Sequence, residues 1–486
     1  MLAWLPFPGS IGRRRSARLR SFAGRGCLLA GSTLILTACS LGPRYHKPDI
    51  ATPDHWVTAS DPGSAAWPTT DWWRGFGSTD LDALIEEAQR ANDDLRAAIA
   101  RVQQADAERR IAGAPLFPAL AVAAQATRAR APVPPNGADM TGNNFSPLLA
   151  ASYQLDFFGK NRALYAAATA TAQASRYDRT TVELTVMAGV ATTYFQALEL
   201  RDRLAIADSN LANATHVLYG LKLEQTAGIA TALDVAQQET VVATVNAAIP
   251  PLHEQLRQSL DALAILIGST PEAVDVQSGG LDALSQPAVQ PGLPSELLAR
   301  RPDVAAAEAQ LIAANADIAA ARAAIFPSIN LTADGGYESS ALTTLLTPSS
   351  RIWSLGAGIT QPIFQGGALL GGYALAKAQY QELLADYHKA VISALANVED
   401  ALIAVQQTTE QVSRQREATE HARRAYRFAQ TQMRAGTINV LTLLNTETTL
   451  FTSEDALAQA KYAHLQSLVS LYQALGGGWQ QKDERL

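Results

Sequence analysis

Two hydrophobic periods take turns along the chain. At residues 119–129, 147–158, 328–337 and 352–363 apolar and polar positions alternate with a period of two, which predicts strands with one apolar face. In the third, Ile329, Leu331, Ala333 and Tyr337 oppose Ser328, Asn330, Thr332 and Asp334. The second sets Leu149, Ala151, Tyr153, Leu155 and Phe157 against Ser152, Gln154 and Asp156, and the fourth sets Trp353, Leu355, Ala357 and Ile359 against Ser354 and Thr360. Elsewhere the pattern is helical, with helices predicted at 79–112, 160–226, 231–268, 302–324, 367–434 and 439–475. Along the last of these Leu443, Leu450, Leu457 and Leu471 fall at multiples of seven, which predicts coiled-coil packing; His464 shares the stripe and reads as a packing position.

The chain also repeats itself. Ala114-Pro115-Leu116-Phe117-Pro118 matches Ala323-Ala324-Ile325-Phe326-Pro327, Thr226-Ala227-Gly228 matches Arg434-Ala435-Gly436, and Leu266-Ile267-Gly268 matches Ala474-Leu475-Gly476 at nearly constant offset. A repeat this long is a duplicated half, not a solenoid unit. The halves occupy 79–268 and 295–476, joined by a Pro- and Gly-rich linker at 269–294 and followed by a tail at 477–486. Each half reads helix, strand pair, very long helix, helix, so the fold class is α+β. Gly228 and Gly436 suit left-handed helix C-caps, Thr231 and Asn439 suit N-caps, and Thr231 to Asp234 has capping-box spacing.

Each strand approaches the length that crosses a bilayer as a tilted β-strand. The polar faces, with Ser152, Gln154, Asn330 and Thr332, would then line a lumen, and the polar segments Pro132 to Pro147 and Ser339 to Ser350 would be extracellular loops. Alternation alone fits a soluble sheet on a helical core equally well. Four strands cannot close a membrane barrel, so a barrel must be shared: two copies would give eight strands and three would give twelve. At ~1.5 Å per residue the helix at 160–226 is about 100 Å long, far more than a bilayer needs.

The N-terminus adds a membrane link of another kind. Arg13, Arg14, Arg15, Arg18, Arg20 and Arg25 precede an apolar run from Cys27 to Ala38, the form of a signal peptide, and Leu36-Thr37-Ala38-Cys39 has lipobox spacing. Residues 1–38 are read as a lipoprotein signal peptide, Cys39 as the acylated mature N-terminus, and 39–78 as a lipid-anchored arm whose tryptophans serve packing. Loss of the six arginines takes the formal charge from −6 to −12, which argues against nucleic-acid binding. With 48% hydrophobic residues the chain can build a core, yet no run of about 18 apolar residues occurs. No phosphate-binding loop, G-x-S-x-G, H-E-x-x-H or C-x-x-C motif is present, and the seven histidines are scattered, so catalytic residues, metal ligands and cofactors are all expected to be absent.

Several segments together carry a resemblance. They are Gly42-Pro43-Arg44-Tyr45 with Pro48, Trp72-Trp73 with Phe76, Leu155-Asp156-Phe157-Phe158-Gly159-Lys160, and Leu293-Pro294-Ser295-Glu296-Leu297-Leu298 running into Arg300-Arg301-Pro302-Asp303-Val304. Phe326-Pro327 and the stretch from Leu471 to Trp479 complete the set. In this order and spacing they resemble the outer-membrane efflux protein family, TolC-like, in its lipoprotein branch. The resemblance implies a homotrimer with one twelve-stranded transmembrane barrel, four strands per chain, continued by a periplasmic helical barrel. It further implies a passive exit duct for drugs or other small molecules, working with a periplasmic adaptor and an inner-membrane pump of the RND type. Adaptor docking would fall at the helix turns, on Gly228, Thr231, Arg434, Gly436 and Asn439, and a gate just inside them at Asp234, Leu444 and Asn445. Relatives often carry Asp where this chain has Asn445 and Arg where it has Thr448, so helix packing, more than ion pairs, is expected to hold the gate shut. The alternative from another class is a trimeric coiled-coil structural or adhesive lipoprotein on the cell surface.

Overall fold

A computed structural model describes residues 42–58, 67–133, 138–276, 279–287, 289 and 292–480. The signal peptide and Cys39 lie outside them. The described chain falls into two compact units, one built on the strands and one on the helices.

The strand unit is a four-stranded antiparallel sheet in the order β1 (Ala119–Val133), β2 (Ala138–Leu155), β3 (Ser328–Tyr337) and β4 (Arg351–Thr360). Its first hairpin corrects the expectation of a long polar loop from Pro132 to Pro147. Pairing runs unbroken from Ala119↔Ser152 to Val133↔Ala138, because ladder hydrogen bonds satisfy the backbone of Thr141 to Ser146 better than an open loop would. Pro147 instead limits the other side of β2: the ladder to β3 stops at Leu148↔Gly336, since proline has no N–H to donate. It resumes as one bridge, Phe145 N–H to the Ser339 carbonyl at 2.9 Å and the reverse at 3.0 Å. β2 ends at Leu155, short of the expected 158, where Gly159 at φ +80° turns the chain into a helix and Phe158 stacks on Phe326 at 5.1 Å. β4 ends three residues early for a related reason, with Pro362 just beyond Thr360.

The helical unit contains α1 (Thr79–Ala91), α2 (Asp93–Gly113), α3 (Lys160–Thr226), α4 (Ala232–Leu266), α5 (Pro294–Leu297), α6 (Pro302–Ala323), α7 (Ala368–Arg434) and α8 (Val440–Ala474). The single helix expected at 79–112 is broken at Asn92. Its extended backbone (ψ 128°) ends α1, while its Oδ1 accepts from Leu95 N–H at 2.9 Å to cap α2 and its Nδ2 donates to the Leu266 carbonyl at 2.8 Å. α3 spans the expected residues without a break. α4 continues through Pro250 and Pro251, which removes two donors from its ladder.

Aromatic residues tie the arm to the helices. Trp72 stacks on Tyr472 at 4.9 Å, Phe76 meets Phe195 at 4.9 Å, and both are buried, as expected of packing residues. Trp56 donates its Nε1–H to the Gly292 carbonyl at 2.7 Å. The Arg-Arg-Pro-Asp-Val segment opens α6: the buried Arg301 forks onto Asp303 at 2.9 and 2.6 Å and reaches the Ala474 carbonyl at 3.1 Å, satisfying a helix C-terminus with a cation. Midway along α3, Arg203 joins Glu199 and Asp455 of α8 at 3.2 and 2.6 Å. No helix among the described residues is long and apolar enough to cross a membrane.

Candidate functional site

The turns that end α3 and α7 are built alike. After α3, Gly228 at φ +75° donates to the Gln225 carbonyl at 3.0 Å, and Ile229 N–H reaches back to the Glu224 carbonyl at 2.9 Å. After α7, Gly436 at φ +69° donates to Met433 at 2.9 Å, and Thr437 N–H to Gln432 at 3.0 Å. Only glycine takes this left-handed conformation at little cost, so each turn is fixed by one residue. Both restart on polar caps. Thr231 and Asp234 form a full capping box, with Asp234 Oδ2 accepting from Thr231 N–H at 2.8 Å and from its hydroxyl at 2.7 Å. Those bonds, the side-chain one first, hold the Asp234 carboxyl below its ordinary range. Asn439 Oδ1 accepts from Thr442 N–H at 3.0 Å to cap α8.

The two turns, some 210 residues apart in sequence, meet through a small apolar cluster of Leu221, Val235, Val440 and Leu444, with Met433 against it. The three residues singled out for a gate therefore have different surroundings. Leu444 is buried in that cluster, Asp234 is engaged in its cap, and Asn445 is exposed. Arg434 is exposed as well, and Ile229 (76%), Leu233 (66%) and Leu441 (50%) leave apolar side chains in the open around the turns.

One polar group here was missed in the sequence. Glu447 is wholly buried, with Gln238 Nε2 of α4 at 3.4 Å and Tyr426 Oη of α7 at 3.4 Å, while Gln238 also donates to the Ala214 carbonyl of α3 at 2.8 Å. Side chains of α4 and α7 thus meet the α8 carboxyl, with Gln238 tying it on to α3, and burial pushes that carboxyl's pKa upward. The signal was legible: Glu447 falls three and four residues from Leu443, Leu444, Leu450 and Phe451, on the buried stripe. His464 is also buried on that helix, with Thr408 Oγ1 at 3.1 Å from its Nδ1, and its pKa is pushed down by burial.

In the sheet, register brings the four chosen polar residues together. Ser152 pairs with Thr332 and Gln154 with Asn330, so all four share one face. Asp334 extends the patch by accepting from Ser354 Oγ at 3.0 Å. Across from Thr332 lies Gly356, where a Cβ would come within 2.7 Å of the threonine hydroxyl. The opposite face carries Tyr153, Leu149, Leu331, Leu355 and Ile359, with Leu149 and Leu355 53% and 76% exposed. Among the described residues no cluster of three metal-ligating groups occurs.

Comparison with known proteins gives concordant matches. The family model "Outer membrane efflux protein" matches residues 84–269 and 293–477. The pyoverdine export outer membrane protein OpmQ of Pseudomonas aeruginosa is 41% identical over 459 residues, covering 93% of this chain and 96% of that protein. The antibiotic efflux pump outer membrane protein ArpC of Pseudomonas putida is 32% identical, with 93% and 95% covered. The solved structure of the outer-membrane channel OprN superposes with a TM-score of 0.86 at 30% identity, covering 91% of this chain and all of that one.

Proposed function

The chain belongs to the outer membrane efflux protein family, and we propose that three copies close their sheets into one twelve-stranded barrel that passes small molecules out of the cell. As a member of that family it is an outer-membrane efflux channel subunit with a helical extension on the periplasmic side. The observation that carries the shared barrel is the sheet itself: one apolar face, one face of polar and small residues, and two unpaired edges, β1 and β4. In lipid those edges must be paired, and the next copy is the available partner. The polar face with Ser152, Gln154, Asn330 and Thr332 then lines the lumen, and the halves 79–268 and 295–476 each supply two strands.

The helix turns dock a periplasmic adaptor, through Gly228, Thr231, Arg434, Gly436 and Asn439, and an inner-membrane pump of the RND type supplies the energy. Exposed Ile229, Leu233 and Leu441 beside rigid glycine turns support this docking. The closed state rests on packing of Leu444, with Asp234 and Asn445 as secondary polar contacts. Cargo is a drug or other small molecule, in keeping with relatives named for pyoverdine export and antibiotic efflux. The duct performs no chemistry of its own, and Cys39 carries the lipid.

Purified protein in a planar bilayer tests the reading. Discrete channels from a trimer are expected; a trimer that conducts nothing would favour the structural lipoprotein and overturn the duct.

A further inference from the structure

The bilayer-facing side of the sheet ends in cations. On β1 that face runs Leu120, Val122, Ala124 and Ala126, and continues with Arg128 and Arg130. On β4 it runs Ile359, Ala357, Leu355 and Trp353, and continues with Arg351, which pairs with Tyr337. Arg128 stands eight residues beyond Leu120, and Arg351 eight residues beyond Ile359. Eight residues span about 26 Å of strand, or about 20 Å along the membrane normal at a tilt of about 40°. That places both guanidinium groups at the rim of an apolar band about 25 Å tall. The chain enters and leaves the sheet at Ala119, Leu155, Ser328 and Thr360, all at the other end of the strands. With the helices in the periplasm, the arginines therefore face the outer leaflet. They are not lumen residues, since the register assigns the polar lining to the opposite face.

We propose that Arg351 of one copy and Arg128 of the next bind the phosphates of the outer-leaflet glycolipid, lipid A, at each seam of the barrel. The inference rests on the trimer reading above: β1 and β4 are the edge strands, so closure sets β4 of one copy against β1 of its neighbour and gathers the cations of two copies. Charge complementarity selects the occupant. Arg128 and Arg351 share this face, and guanidinium forks match phosphate oxygens in pairs. Below them Val122 (80% exposed), Leu355 (76%) and Ile359 (72%) offer an apolar wall to the acyl chains of the same molecule, and Trp353 lies between wall and cations as interfacial aromatics do. A phosphate with acyl chains fits both features at once; a free phosphate fits only one.

Native mass spectrometry of the detergent-purified full-length protein, titrated with bis-phosphorylated lipid A and with its dephosphorylated form, tests this. The wild-type trimer is expected to hold the phosphorylated lipid about tenfold more tightly, and the Arg128→Gln/Arg351→Gln trimer to lose that preference. Each single Gln variant should lose part of it, so the test survives failure of the double variant to assemble. Equal affinity of wild type for both lipids, or an undiminished preference in the variants, overturns the proposal. Displacement of bound lipid by millimolar inorganic phosphate alone would assign the site to the free ion and overturn the lipid. Wild type that runs as a monomer would overturn the trimer reading itself, an outcome distinct from an intact trimer without lipid preference.

Discussion

Glu447 shows how a single side chain can set the tightness of the helix turns. Because its carboxyl's folded pKa is raised, it binds its proton more tightly folded than unfolded, so its contribution is fully present below the ordinary value of 4.5 and is lost as pH rises through the folded value. Amide protection along the first turns of α8, taken relative to the intrinsic base-catalysed exchange rate at each pH, is therefore expected to fall from pH 5 to pH 8 in the wild type. The Glu447→Gln protein should be better protected than the wild type at pH 8 and its protection should change little with pH; a protection profile identical to the wild type's would remove Glu447 from this role. For the turns themselves, Leu444→Ala should cost about 2–5 kcal/mol of local stability and raise single-channel conductance. Asn445→Ala, on an exposed residue, should raise conductance only slightly. Conductance rising more in the second variant would shift the gate from packing to polar contacts.

Elements carry the next level of determination. A bulky residue at Gly436 must adopt φ +69°, and there is open space around its Cβ, so the penalty is one of backbone strain and not of collision. Gly436→Val should thus cut pump-dependent export while sheet assembly, measured as heat-resistant trimer on a gel, stays intact; normal export would count against adaptor docking at this turn. The strands make a sharper forecast. Single cysteines at Asn330 and Thr332 are expected to react with a water-soluble reagent in intact membranes, and those at Ile329 and Leu331 to stay protected by lipid. The register now adds partners: cysteines at Gln154 and Ser152, opposite Asn330 and Thr332, should share their reactivity. Equal labelling at all of these positions would refute the division of faces.

At the scale of the whole molecule the two unpaired sheet edges decide what the chain can be. A four-stranded sheet with an apolar face and open edges cannot sit alone in lipid, and assembly is expected to precede or accompany insertion. Cys39→Ser should abolish acyl labelling yet leave the trimer and its conductance nearly unchanged, because a closed barrel anchors the chain by itself; persistence of label would exclude Cys39 as the lipid site. The duplication also acquires a structural sense here. Beside its glycine turn each half contributes two residues to one small apolar cluster, Leu221 and Val235 from the first and Val440 and Leu444 from the second.

Local chemistry made much of this legible. Period-two alternation gave the faces of β2, β3 and β4, and the sequence bounds of α3 needed no correction, since an uninterrupted helical pattern between Gly159 and Gly228 leaves the backbone few alternatives. The capping box at Thr231 and Asp234 is a contact of near neighbours and was visible for the same reason. What the linear pattern could not supply were the contacts made across long sequence separations. Asn92 breaks a helix because the Leu266 carbonyl, 174 residues away, accepts from its side chain. Residues 138–147 pair as strand because β1 extends as far as Val133 to meet them. Leu444 and Glu447 look alike in a heptad plot, yet one closes an apolar cluster and the other brings a carboxyl to side chains of α4 and α7, a distinction set only by which side chains of distant elements arrive there.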